Sequence, residues 1–511
     1  MISPIASALG KVLSFCGLAG LAFLLPAASP PWTHATEVLR LYDGPDGATC
    51  EYFNRAARIR WRTKQGDWID ASGKSQGSTP AARAHVADLD RSRMVAWDVT
   101  DLVRAEEARR GSGMAFLIRP VSGTRHGGAA FFSREATDPT VRPQLLLEFI
   151  DGGRQSIRPV ADTYTDCSTV RSLGTEETLR VSGDQNLLLD FAFAEMERAS
   201  PVAKATLQLT TARQYGDSDL GVFRLEAPSA DVPATPTLGI AAAYPGDVGI
   251  EKDAAVVMAT NFESTNWLSD WGDSSPGGSF SVVAKDHARR FEPLAGRALR
   301  VEIPAGQNLG LDLSYVFGDQ IRSEPEEIYF RYYLRFGDDW APTVDGGKLP
   351  GIAGTYGRAG WGGRRSDGTN GWSMRGLFVR APAEPNPLQH RTTLGTYAYH
   401  ADMKGGWGEE WTWMRSLHGL VKRNTWYSIE QHFRVNTPDA ADGVLRVWID
   451  GVLAFEKKDI RVRKVQALKI DRVWMNVYHG GAVPTPRSLH LYIDNVVIAR
   501  KYIGPLSGRP R

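Results

Sequence analysis

The sequence predicts an all-β protein built of β-sandwiches, and three observations carry that expectation. Apolar and β-branched residues alternate or run together in short segments, as in ATLQLT (205–210), LRVWIDG (445–451) and LHLYIDNVVIA (489–499). Gly, Asp, Asn and Pro turns separate these segments, the punctuation of antiparallel sheets. Helical periodicity is scarce. The best short helix is DVTDLVRAEEARRG (98–111), with Asp98 or Thr100 as its cap and Gly111 as its stop.

The chain has 511 residues, too many for one ordinary core. Its net charge is +2, and no basic run has the look of a nucleic-acid arm, so nucleic acid is not an expected partner. Residues 1–30 read as an export signal: Lys11 precedes the apolar run VLSFCGLAGLAFLL, which ends at Pro26 before small residues. The run is shorter than the ~20 residues that span a bilayer. The mature protein is therefore expected in the periplasm or outside the cell, free of the membrane. Export leaves Cys50 and Cys167, and an oxidising compartment permits a disulfide between them; two free buried thiols are the other reading.

Residues 227–250, APSADVPATPTLGIAAAYPGDVGI, read as a linker between a region at 36–226 and a domain at 251–505. In the first region, WDVTDLV, GMAFLIRP and FFSREATDPTVRPQLLLEF resemble the second half of DNRLRE-type carbohydrate-binding modules. ADTYTDCSTVRSLGTEETLRVSG, LLLDFAF and AKATLQL resemble the first half. The order is reversed, so either two incomplete modules lie in tandem or two halves complete one sandwich. A Cys50–Cys167 bridge would join the halves. Sugar binding and a spacer role are both open for this region.

Two strands of the C-terminal domain have unusual polar faces. In IYFRYYLRF (328–336), Arg331 and Arg335 lie with Tyr329 and Tyr333 opposite an apolar face; in YSIEQHFRVN (427–436), His432 lies with Glu430 and Arg434. Tyr, Arg and His suit a groove for an anionic sugar, so Arg331 and His432 are expected to bind substrate. His479, in NVYHGG, is a further candidate for a subsite. Trp407, Trp411 and Trp413 read either as a sugar-stacking loop or as an anchor under a loop. SDGTNG (366–371) lacks a full calcium-loop pattern, so neither metal nor other cofactor is expected at the site.

GGKLPGIAG (346–354) holds Lys348 among glycines and a proline. WSMRGLFVR (372–380) puts Ser373 and Arg375 on one strand face, and LGTYAYH (394–400) does the same for Tyr397 and Tyr399. This ordered set resembles the alginate lyases of polysaccharide lyase family 14, with kinship to the family 20 glucuronan lyases. NFESTNW (261–267), NTPDAADGVLRVWIDG (436–451) and YIDNVVIARKYIGP (492–505) agree with it. The resemblance covers most of 255–505. It implies a jelly-roll sandwich with a concave substrate face, catalytic Lys348, Tyr397 and Tyr399, and substrate-binding Ser373 and Arg375. It departs from the family in the Gly/Arg loop TYGRAGWGGRRSDGTNG (355–371) and the insert APAEPNPLQHRTT (381–393), which bear on the choice of substrate.

The implied reaction is β-elimination on a uronate polysaccharide. It needs a cation at the sugar carboxylate, a base for the neighbouring carbon-bound proton and an acid for the leaving oxygen. Two rivals remain at this stage. A hydrolase would need two carboxylates facing one sugar, and the E-x-D-x-x-E or E-x-D-x-E strand of laminarinase-type sandwiches is absent. A non-catalytic polysaccharide-binding protein would keep the groove and lack turnover. The polymer, the direction of cutting and the oligomeric state are not legible.

Overall fold

The computed structural model describes residues 40–507 except 45–46, 56–57, 88–91, 109–112, 122–126, 194–199, 215, 228–236, 273–275, 342–345, 380–390, 415–418 and 482–483. The expected export signal and most of the 381–393 insert lie outside the described residues. No helix among the described residues is long and apolar enough to cross a membrane.

The N-terminal region is one sandwich. One sheet runs Ala161–Asp166, Gln185–Ala192, Gly113–Pro120, Ser218–Leu225 and Trp68–Ile69; Ala82–Val86 also pairs with Ser218–Leu225. The other runs Thr178–Val181, Ala129–Phe132, Val202–Gln214, Gln144–Phe149 and Arg154–Ile157; Met94–Asp98 also pairs with Val202–Gln214. The two sequence halves interleave: Phe116 of the first half lies opposite Leu189 of the second, and Ile118 opposite Val222. Leu187, Leu189 and Phe191 enter the core between the sheets, beside Trp97, Phe131 and Leu207. Leu188 points the other way, to Phe53, Trp61 and Trp68. This burial on both faces explains the unbroken apolar run at 187–189. The helix spans Thr100–Ala108, and Asp98 Oδ1 accepts the Thr100 amide at 3.1 Å and its hydroxyl at 2.5 Å. Cys50 and Cys167 are bonded, with Cα atoms 5.0 Å apart.

The C-terminal domain is a larger jelly-roll sandwich of two antiparallel sheets. The groove sheet runs Glu409–Thr412, Arg391–Tyr399, Trp372–Phe378, Gly347–Gly354, Arg472–His479 and Leu309–Val316. Gly277–Val283 pairs on one side with this sheet and on the other with Ala298–Ile303, so the chain folds over into the outer sheet. That sheet continues through Leu489–Ala499, Glu327–Phe336, Tyr427–Arg434, Gly443–Ile449 and Val452–Ile460. Leu349, Ile352, Trp372 and Met374 meet Phe330, Ile429 and Phe433 in the core. The Trp372 and Phe433 ring centroids are 4.7 Å apart. Gln431 crosses the core from the outer sheet and donates its amide to the Pro350 carbonyl at 3.0 Å.

The structure corrects the expectation for Arg331 and His432. Both lie on the outer sheet, and that face is covered rather than open. Residues 239–253, of which 239–250 read in the sequence as the end of a linker, pack short 3-10 turns there: Ala241 and Ile250 bury against Val497, Ala499 and Ile503. Arg331 is fully buried and donates to both oxygens of Asp247 and to the carbonyls of Gly504 (3.0 Å) and Asn495 (3.2 Å). His432 is buried too, stacked on Tyr329 with centroids 4.3 Å apart and bonded to Glu327 at 2.7 Å. Neither side chain can reach a sugar in the groove.

One turn yields a pH prediction. Asp450 and Gly451 join Gly443–Ile449 to Val452–Ile460 with φ of 50° and 79°, the two left-handed residues of a type I′ hairpin. Burial pushes the Asp450 carboxyl up to about 8, although it accepts the Ser428 amide at 2.8 Å. An unfolded Asp ionises near ~3.9. Over the interval between that value and about 8, the unfolded state releases its proton and the folded state keeps it, so stability falls as pH rises. Asp450→Asn keeps the turn and removes the titration. Its thermal midpoint is expected to fall less between pH 5 and pH 8.5 than that of the wild type. Equal falls would refute this role for Asp450.

Candidate active site

The groove face is organised by a bulge. Lys348 pairs with Leu377 and Leu349 with Gly376, but Gly351 pairs with Arg375, so Pro350 is the extra residue. Proline has no amide hydrogen for the ladder and suits that place. The bulge puts Lys348 and Gly351 on the same face although they are three residues apart. On the other side, Lys348 lies opposite Tyr478 and Gly351 opposite Trp474.

Gly351 therefore sits between Arg375 and Trp474 and offers no side chain to separate them. A Cβ there would lie 2.3 Å from the Met374 carbonyl oxygen and 2.5 Å from Arg375 Cα. Across this gap the Arg375 guanidinium lies 4.7 Å from the Trp474 ring centroid, and its Nη1 donates to Asn476 Oδ1 at 3.0 Å. Asp312 Oδ1 accepts the Trp474 indole N–H at 2.5 Å, which fixes the ring. Arg375 is almost wholly buried, and its Nε has no hydrogen-bond partner among the described residues. Burial brings its guanidinium down to about 10, and nearby Tyr399 and Tyr397 oppose that shift.

Tyr397 lies opposite Arg375 and Tyr399 opposite Ser373 in the next strand. Lys348 Nζ stands 4.1 Å from the Tyr397 ring centroid, which brings the lysine and the tyrosine pair together across the intervening strand. The two tyrosine rings meet edge to face at 5.7 Å. Burial, then the neighbouring Tyr399, pushes the Tyr397 hydroxyl up to about 12. Tyr399 is fully buried, and its hydroxyl accepts the Gly363 amide at 3.2 Å from the Gly/Arg loop. Ser373 does not open onto the groove as expected. It is fully buried and donates to the Gly360 carbonyl at 2.6 Å, anchoring the same loop.

His479 is also buried, at the end of its strand opposite Gly347 and with its ring 6.5 Å from that of Phe378. The burial suits a residue that closes the end of its strand, and it leaves the ring no open surface for a sugar subsite. The tryptophans divide: Trp413 is buried and donates to Thr396 Oγ1 at 2.8 Å, Trp411 is half-buried, and Trp407 is 66% exposed. Asp367 Oδ1 accepts the Thr369 amide at 2.7 Å and its hydroxyl at 2.8 Å, the hydrogen bonds of an Asx turn.

The sequence reading missed Trp474, Asn476, Tyr478 and Asp312. The first three alternate in RVWMNVYH (472–479), so they share the face that Arg375 reaches, and that alternation was the available signal.

Residues 297–495 match the family model Polysaccharide lyase 14, a span that contains Lys348, Arg375, Tyr397 and Tyr399. Among curated proteins, none matches this chain. Among solved structures, the alginate lyase Aly36B is similar at 21% identity, over 47% of this chain and 96% of that one, with a TM-score of 0.38. The alginate lyase of Aplysia kurodai is similar at 18% identity, over 48% and 100%, with a TM-score of 0.37. The endo-β-1,4-glucuronan lyase of Trichoderma reesei is similar at 13% identity, over 48% and 95%, with a TM-score of 0.33.

The Ser373 bond gives a direct test of the loop anchor. Ser373→Ala is expected to lose about 1 kcal/mol of stability and to speed protease cleavage within 355–365. Wild-type stability together with wild-type cleavage would show that this bond does not hold the loop.

Proposed function

We propose that the protein is an exported polysaccharide lyase that cleaves a uronate-containing polymer, alginate or glucuronan-like, by β-elimination. One observation carries this reading: Arg375, laid across Gly351, shares a face with Lys348 and the two tyrosines. The family match over 297–495 supports the same reaction.

Each job of the reaction has a group suited to it. The sugar carboxylate approaches Arg375, whose Asn476 and Trp474 contacts hold the cation in place before substrate arrives. Lys348 takes the proton from the carbon next to the carboxylate. The electron pair left behind forms a carbon–carbon double bond as the glycosidic C–O bond breaks. Tyr397 gives its proton to the departing oxygen. Its hydroxyl, pushed up to about 12, carries that proton at neutral pH. Tyr478, opposite Lys348 and 36% exposed, borders the reacting centre.

The product is an unsaturated uronate, which absorbs ultraviolet light, whereas hydrolysis yields none. Mature protein incubated with polymannuronate, polyguluronate, glucuronan, hyaluronan and a bacterial exopolysaccharide is expected to raise absorbance with one of them. New reducing ends without absorbance would mean hydrolysis and would overturn this reading. Lys348→Ala is expected to bind polymer without cleaving it, and Tyr397→Phe to slow turnover by about 10²- to 10⁴-fold, the usual span for a proton-transfer group. Wild-type turnover by Lys348→Ala would remove that residue from the chemistry. His432→Gln, buried on the covered outer face, should keep turnover within about twofold, because that side chain lies in the other sheet from Lys348, Arg375 and Tyr397 and touches no group at the reacting centre.

A further inference from the structure

A cluster in the N-terminal sandwich lies outside the groove chemistry altogether. Asp43, Glu135 and Asp162 each bring a carboxylate oxygen within 4.8 Å of the others. They come from three segments. Asp43 is in the arm before the first strand, Glu135 follows Ala129–Phe132 of one sheet, and Asp162 is in Ala161–Asp166 of the other sheet.

Several donors around the cluster are already engaged. Asp162 is fully buried; its Oδ2 accepts the Arg134 amide at 2.8 Å. Asp43 Oδ2 accepts the Asp162 amide at 3.0 Å and lies 3.7 Å from Arg134 Nε. Glu135 Oε1 accepts Arg134 Nε at 2.9 Å. The guanidinium then turns to the Val160 carbonyl. What is left over is Asp162 Oδ1 and Glu135 Oε2, both buried and without a hydrogen-bond partner among the described residues. A buried carboxylate oxygen without donor or cation is costly.

We propose that Asp43, Glu135 and Asp162 form a structural site for a hard divalent cation, calcium by its donor set, which ties the N-terminal arm to both sheets. Three carboxylates and one guanidinium leave two negative charges, which one divalent cation balances. The ligand atoms are all oxygen, without the nitrogen or sulfur that favours zinc. Three separate chain segments supply them, which suits the adaptable coordination of calcium better than the strict octahedron of magnesium. Asp43 and Glu135 are partly open to solvent, so water can complete the shell and the ion can enter. The Cys50–Cys167 bond already staples the same arm to the chain just beyond Ala161–Asp166, and the cation would be a second staple at the other end of that strand.

The full mature protein, stripped with a chelator and dialysed, provides the test. Its thermal midpoint should rise with added calcium as mass action requires, and rise less with the same concentration of magnesium. Bound terbium should luminesce and be displaced by calcium. Both effects should vanish in Asp162→Asn and in Glu135→Gln; the second, on a partly exposed side chain, guards against misfolding of the first. A midpoint indifferent to calcium that climbs instead on acidification would mean that a shared proton joins the carboxylates, and would overturn the proposal. A full calcium response retained by Glu135→Gln would overturn it too, and an equal response to magnesium would overturn the choice of calcium.

Discussion

The groove depends on a missing side chain. Gly351 lets a guanidinium cross from one strand to the indole and amide of the next-but-one strand, over a backbone with no room for even a methyl group. The Pro350 bulge makes this possible. By adding one residue between Lys348 and Gly351, it turns both toward the groove face, where strict alternation would have sent one of them into the core. The bulge is held from behind by Gln431, whose amide spans the sandwich. Lysine, arginine and tyrosines are thus arranged by backbone geometry, with the outer sheet as the template.

The two faces of the domain handle charge in opposite ways. On the outer sheet, Arg331 and Glu430 are sealed under the 239–253 segment and the C-terminal tail. Arg331 is neutralised by Asp247, and Glu430 accepts the Ile503 and Gly504 amides at 2.7 and 2.8 Å. Removing one member of such a set would strand a buried charge. On the groove sheet, Arg375 is buried too, but among the described residues no carboxylate forms an ion pair with it; Trp474 and Asn476 position the guanidinium, and Asp312 acts on it from beyond the Trp474 ring. A cation held but not neutralised is what an incoming carboxylate requires.

Alternation in the sequence was a sound guide to which residues share a face. Ser373, Arg375 and Leu377 do stand together, as do Tyr397 and Tyr399. It could not say whether a face is open. Arg331 and His432 have the composition of a groove, yet their cover comes from residues about 80 to 180 positions away. The covering segment looked like linker because 227–250 is rich in Pro, Ala and Gly and has little charge, while a decisive contact comes from one carboxylate within it, that of Asp247. Alternation places Trp474 and Asn476 on one face, but that this face meets Arg375 depends on Gly351, and no local pattern reveals which strand lies beside which. The interleaving of the N-terminal halves was likewise open in the sequence, since one sandwich and two give the same strand signals.

The two sandwiches also touch. Arg58 of the first forms an ion pair with Glu410, which lies directly opposite Tyr397 on the edge of the groove sheet, and Leu420 packs among Phe53 and Trp61. The N-terminal region is therefore part of the electrical wall of the groove. Without the N-terminal region, Glu410 would lose the Arg58 guanidinium and stand as a bare negative charge opposite Tyr397 on the edge of the groove sheet. The segment between the sandwiches divides the chain in sequence, but Arg58, Phe53 and Trp61 join the two parts in space.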